Sequence, residues 1–182
     1  VSVSGSIAPW TYRAGVYSAG EANREFGEFN GGLATLGVLG YDFGDALGVD
    51  EAVLAGNYVY LRPDSDNTFT RQLEQIFSAH FRFGTGKWGA RADLSTATGY
   101  SGQSDVWGFM AMPFVNLTDK LQLVGRYTVV ESDGLNGVRL ATYESRVVAG
   151  RGDRYDELYG GANYYFYAHR LKLQTGVQWA EM

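Results

Sequence analysis

Apolar and polar residues alternate along nearly the whole chain. Between Lys120 and Val130, Leu121, Leu123, Gly125, Tyr127 and Val129 fall on one face, and Gln122, Val124, Arg126 and Thr128 on the other. From Arg170, Leu171, Leu173, Thr175, Val177 and Trp179 alternate with Lys172, Gln174, Gly176 and Gln178. Trp88, Ala90, Ala92 and Leu94 alternate in the same way with Gly89, Arg91, Asp93 and Ser95. A period of two is the signature of a strand with one apolar and one polar face. No comparable stretch repeats at the 3.6 residues of a helix. The pattern predicts nine strands, near 7–18, 32–43, 51–62, 72–83, 87–98, 105–115, 120–131, 156–167 and 170–180. At about ten to twelve residues they exceed the soluble-sheet mode of about five or six. They match a tilted strand that crosses a membrane.

The connections carry more information than the strands. Short links fall at Gly44–Asp50, Gly84–Gly86, Asn116–Asp119 and Ala168–His169. Long polar links fall at Ala19–Gly31, Pro63–Arg71, Gly99–Ser104 and Ser132–Tyr155. They alternate long and short without a fault, the rhythm of an up-and-down transmembrane β-barrel with turns at one rim and loops at the other. Trp10 and Trp88 open strands that leave the short-turn side, whereas Trp107 and Trp179 lie toward the long loops. Tryptophans at both strand ends match an aromatic girdle at the two membrane interfaces. An odd strand count cannot close a bacterial single-chain barrel, and the chain ends without a terminal aromatic strand. The expectation is therefore an all-β, antiparallel segment, residues 1–182 without separate domains, of a larger barrel.

Composition narrows the function classes. The 182 residues include 25 Gly, 13 Tyr, 10 Phe, 3 Pro and no Cys, with a net charge of -5. The absence of cysteine removes disulfides, thiolate metal sites and cysteine nucleophiles. The acidic balance argues against nucleic acid as a partner. There is no apolar run long enough for a transmembrane helix. A signal peptide is not visible, and Val1 stands where an initiator methionine would, as in a processed or partial chain. His80 and His169 are the only histidines, and no G-x-S-x-G occurs, so neither a catalytic triad nor a metal site is expected. Gly84-Thr85-Gly86-Lys87 lacks the spacing of a phosphate-binding loop and no helix follows it.

The strand phase places Arg13, His80, Arg82, Arg91, Asp93, Arg126, Glu157 and Lys172 on the polar face, with Lys87 at the short-turn rim. Most acidic residues, among them Glu21, Glu25, Glu28, Asp64, Asp66 and Asp133, fall in the connections instead. A pore wall of one sign raises the local counter-ion concentration, and rings of Arg or Lys select anions. Arg82, Arg91 and Arg126 are expected on successive strands near mid-height, and with Arg13 and Lys172 they are the candidate pore-lining, anion-binding residues. Pairing with inner carboxylates such as Asp93 would instead make the arginines structural. The arginine-bearing segment 146–154 is expected either to fold toward the pore mouth or to decorate the surface.

Several segments resemble one family. Gly152-Asp153-Arg154-Tyr155 followed by Leu158 to Val177 is similar to the late hairpin of the phosphate-selective porin O and P family. Arg24-Glu25-Phe26-Gly27-Glu28-Phe29-Asn30-Gly31-Gly32, Asp105-Val106-Trp107-Gly108 and Leu117 to Tyr127 resemble its earlier segments, in the family's order. The resemblance implies a sixteen-stranded, homotrimeric porin of the bacterial outer membrane. It implies contact with outer-membrane lipid, passive diffusion of small inorganic anions such as phosphate, and no cofactor or catalysis. This chain would then be part of the later half, without the inward loops that carry much of the family's anion filter. Two other classes remain: an outer-membrane barrel that serves as anchor or assembly partner without transport, and a soluble ligand-binding barrel. The soluble class fits less well, because its interior would be the apolar side.

Overall fold

In a computed structural model, the structure describes residues 1–20, 31–67, 72–140, 146, 148, 150–167 and 170–182. The fold is all-β. Ten strands form one antiparallel sheet: β1 (Ser2–Ile7), β2 (Trp10–Ser18), β3 (Leu33–Asp42), β4 (Glu51–Leu61), β5 (Leu73–Thr85), β6 (Trp88–Gly99), β7 (Val106–Asn116), β8 (Leu121–Ser132), β11 (Arg154–Tyr165) and β12 (Lys172–Glu181). Each pairs with its predecessor in the sheet, and β1 and β12 form the two edges. A hairpin of β9 (Val138–Arg139) and β10 (Arg151–Gly152) lies within the connection from β8 to β11. A helical turn, α1 (Gly44–Leu47), is closed by Gly48 at φ 66°, a left-handed conformation that glycine adopts without steric cost.

The count corrects the expected nine strands. Residues 7–18 do not form one strand. The chain reverses at Ala8-Pro9 through a cis peptide, and Ser2–Ile7 folds back on Trp10–Gly15. Proline has no N–H for the ladder, so it stands at the reversal. The alternation of ends survives and extends. Links 8–9, 43–50, 86–87, 117–120 and 166–171 lie at one end, and 19–32, 62–72, 100–105 and 133–153 at the other. The link 133–153 is the longest and shares its end with 19–32, as the strand count parity requires. Adjacent short turns are tied together where the Gly86 amide donates to Asp50 Oδ2 at 2.7 Å.

Cross-strand register fixes which residues share a face, because directly opposed residues point the same way. Arg82 opposes Arg91, Arg91 opposes Met112, and Tyr159 opposes both Arg126 and Gln178. On the other face stand Leu39, Leu54, Phe77, Leu94, Leu123, Leu158, Leu173 and Val177, all exposed. Among the described strand residues that face holds only four charges, Glu131, Arg154, Asp156 and Glu181, all at the long-link end. There Arg154 Nε lies 2.6 Å from Asp156 Oδ2, and Tyr127 donates to Asp156 Oδ1 at 2.8 Å. Trp10, Trp88, Trp107 and Trp179 all belong to the apolar face, two at each end, and all are exposed. Trp10, Tyr41 and Phe43 pack together at the short-turn end, the first pair edge to face and the second tilted, with centroids 4.7 and 4.4 Å apart.

Candidate functional site

The polar face carries every candidate named from the sequence, but not in the expected arrangement. Arg82, Arg91 and Arg126 lie in one cross-strand row, on β5, β6 and β8. They are not on successive strands: Met112 of β7 occupies the position between Arg91 and Arg126. Nor are the first two at mid-height, since Arg82 and Arg91 each stand three residues from the ends of their strands at the Gly86–Lys87 turn. Arg13 lies apart on β2, between Ser4 and Val38, and Lys172 lies at the start of β12, opposite Tyr165. Both are exposed.

The arginines have carboxylate partners, and Asp93 is not one of them. Glu51, at the start of β4, bridges Arg82 Nη1 at 3.2 Å and Arg91 Nη2 at 2.9 Å. Glu157 receives Arg126 through Nη2 at 2.6 Å and Nε at 2.8 Å, both on Oε1. Its Oε2 accepts from Tyr155 Oη at 2.8 Å and Gln178 Nε2 at 2.7 Å, so this carboxylate, 3% exposed, is fully satisfied. Asp93 accepts from Ser95 Oγ at 2.6 Å and stands opposite His80, whose Nδ1 lies 3.2 Å from Asn57 Nδ2. Each ion pair is diagonal, not directly opposed. Glu157 faces Thr128 and Glu51 faces Gly84, so Arg126 and Arg82 each reach one step along the neighbouring strand, and Arg91 reaches Glu51 from the second strand over.

Aromatic rings hold the guanidinium groups against the wall. Arg126 stacks 5.4 Å from the Tyr159 centroid and Arg91 5.5 Å from that of Phe114. Glycines make room for those rings. A Cβ at Gly161 or Gly176 would strike Tyr159, and one at Gly89 would strike Phe114. The rings therefore lie flat on bare backbone and present a face to the cation, an attraction of about 0.5–1 kcal/mol at an exposed site.

A concavity of about 730 Å³ brings together Arg91, Arg126 and Lys172. Its floor is a chain of amides across four strands. Gln174 Nε2 donates to Asn163 Oδ1 at 2.8 Å, Asn163 Nδ2 to Gln122 Oε1 at 2.8 Å, and Gln122 Nε2 to Asn116 Oδ1 at 3.0 Å. Gln122 Oε1 accepts a second bond, from Tyr165 Oη at 3.1 Å. Each link uses one of the two lone pairs of a carbonyl oxygen and one of the two N–H groups of its donor amide. Both donors and acceptors therefore remain for solvent or solute. The alternation places Gln122 and Gln174 on the inward face, where they stand, but their linkage into a chain depends on cross-strand register and was not foreseen. The strand positions of this face also hold Arg13, Arg82, Arg91, Arg126 and Lys172 against Asp42, Glu51, Asp93 and Glu157, with Glu74 beside Leu73 at the register shift of β5 as a fifth carboxylate, so the positive charges are matched in number.

In the link 133–153, described residues lie against the polar face. Val138 is 3% exposed, and the Gly137 carbonyl accepts from Gln103 Nε2 at 2.8 Å. Arg154 instead joins the apolar face at the long-link end. His169 and the stretch Arg24–Asn30 lie outside the described residues, as do Glu21, Ala168 and parts of 141–149. Among the described residues no cluster of His, Asp or Glu is arranged to hold a metal ion. No family model, curated protein or solved structure matches the chain.

Proposed function

We propose that this sheet is part of the wall of a closed, membrane-spanning β-barrel in a bacterial outer membrane, and that its polar face lines a passive diffusion channel for small anions such as phosphate. The observation that carries the reading is the division of the two faces: one apolar and exposed, the other polar, with a row of arginines and a chain of side-chain amides. The apolar band has the right height. Trp107 opposes Thr96, eight residues along β6 from Trp88. At about 3.4 Å per residue the two tryptophan levels are about 27 Å apart along the strand, or about 21 Å after a barrel strand's tilt, close to the roughly 25 Å band of outer-membrane barrels. Unpaired edges in lipid leave N–H and C=O groups without partners, so β1 and β12 require further strands to close on. The resemblance to phosphate-selective porins O and P supplies the same picture, including a homotrimer.

Guanidinium groups and amide N–H donors exchange with an anion's water shell, while Glu51 and Glu157 keep the arginines from acting as deep traps. Rapid passage needs that balance. In planar bilayers under a potassium chloride gradient, the purified complete protein is expected to give a reversal potential of anion-selective sign. Cation-selective sign would overturn the reading.

A second reading is a structural barrel without transport, and the seating of Gly137 and Val138 against the polar face favours it. Membrane insertion without conductance would decide for it.

A further inference from the structure

Beside the anion-lining concavity lies a second space of about 660 Å³, bounded on one side by residues 137–140. Its strand walls belong to the polar face, yet they are mostly apolar: Val106 and Met110 of β7, Val130 of β8, and Leu73 at the start of β5, with Val138 opposite them. The channel reading does not require such a compartment, since small hydrated anions gain nothing from methionine and valine. The volume is that of a small-molecule site. Arg126 and Met112 border both spaces, so one guanidinium stands at the junction of the apolar chamber and the amide-lined concavity. Glu157 occupies Nε and Nη2 of Arg126, while Nη1 has no partner among the described residues. Arg139, exposed at the rim of the chamber, adds a second positive charge.

The geometry points to a binding site for amphipathic organic anions, a carboxylate head on a compact apolar body. The carboxylate takes Arg126 Nη1 and the field of Arg139, and the apolar body takes the chamber of Met110, Val130 and Val138. This deepens the channel reading, on which it rests, by naming a solute class that the wall retains longer than inorganic anions. Methionine suits such a chamber, because its unbranched, polarizable side chain adapts to differently shaped guests.

The test is isothermal titration of the complete protein in nanodiscs, with empty nanodiscs as the blank, using acetate, butyrate, hexanoate, octanoate and 4-phenylbutyrate. Affinity is expected to rise about fourfold per added methylene until the chamber is full. The near-isosteric pair Val130→Thr and Met110→Gln is expected to flatten that series while leaving acetate unchanged. Arg139→Gln is expected to weaken every member by a similar factor. Equal affinity for acetate and octanoate, or an unchanged series in the Val130→Thr/Met110→Gln variant, overturns the site. Reversal potentials on the same preparation separate the two ideas. An anion-selective channel with no chain-length dependence removes the site alone. Chain-length-dependent binding without conductance removes the channel and supports the site.

Discussion

Glu51→Gln isolates the charge argument from the shape of the wall. Glu51 is the sole described carboxylate on Arg82 and Arg91, so this group of three carries a net charge of +1. The amide keeps the side chain's size and one acceptor oxygen, and raises the group to +2. Arg82 and Arg91 are 46% and 31% exposed, so the added charge acts through water. A monovalent ion passing about 7 Å away then feels about 0.6 kcal/mol, which a Debye length of about 10 Å at 0.1 M salt reduces to about 0.3 kcal/mol. Anions gain and cations lose by that amount, so the anion-to-cation permeability ratio should rise about threefold at 0.1 M. At 1 M the Debye length is about 3 Å, and the gain should fall to about 1.2-fold. Reversal potentials at the two salt levels, in the complete protein, measure both values. An unchanged ratio at 0.1 M would mean that permeating ions do not pass this wall. A shift of the same size at 1 M would mean that the substitution acts by reshaping the pore.

Three further outcomes follow from the same geometry. Glu157→Ala takes the acceptor from Arg126, Tyr155 and Gln178 and should destabilise the protein by about 1–3 kcal/mol, since the 38%-exposed Arg126 keeps access to water, read by urea titration of tryptophan fluorescence in vesicles; no measurable loss would show that these bonds add nothing to stability. Leu54→Lys, on the apolar face in the row of Ala92 midway between the two tryptophan levels, should cost about 2–4 kcal/mol of insertion, whereas Thr128→Lys on the polar face should insert normally; equal effects would dissolve the distinction between faces. Gly176→Val should displace Tyr159 from its glycine bed, free Arg126 from its stacking partner and lower the urea midpoint, while Gly160→Val, with open space around its Cβ position, should not.

The sheet was legible because a period of two survives any uncertainty about where a strand ends. The positions from Leu121 to Val130 keep their assigned faces throughout. The turn at Ala8-Pro9 was missed for a local reason. Ser2, Ser4, Ser6 and Gly5 are weak strand formers, and the six residues of β1 stand only through pairing with β2. The arginines were legible, but their partners were not. Whether Arg82 reaches Glu51 depends on a register set by the turns, and a one-residue slip would have sent those side chains to opposite faces. The apolar chamber did leave a trace: Val106 to Val115 is almost wholly apolar on both faces, the mark of a strand covered on both sides.

On the proposed reading, one face of this sheet meets lipid and the other meets water inside a channel. The chain has no cysteine, so single cysteines introduced at each position from 121 to 130 in the complete protein report on it directly. Outer-membrane vesicles bearing each variant are treated with a charged, membrane-impermeant thiol reagent and, separately, with a lipid-soluble one. The even positions, including 122, 126 and 128, are expected to react with the charged reagent, and the odd positions, including 123, 127 and 129, only with the lipid-soluble one. Odd positions that react with the charged reagent as fast as even ones would place both faces in water and contradict the reading.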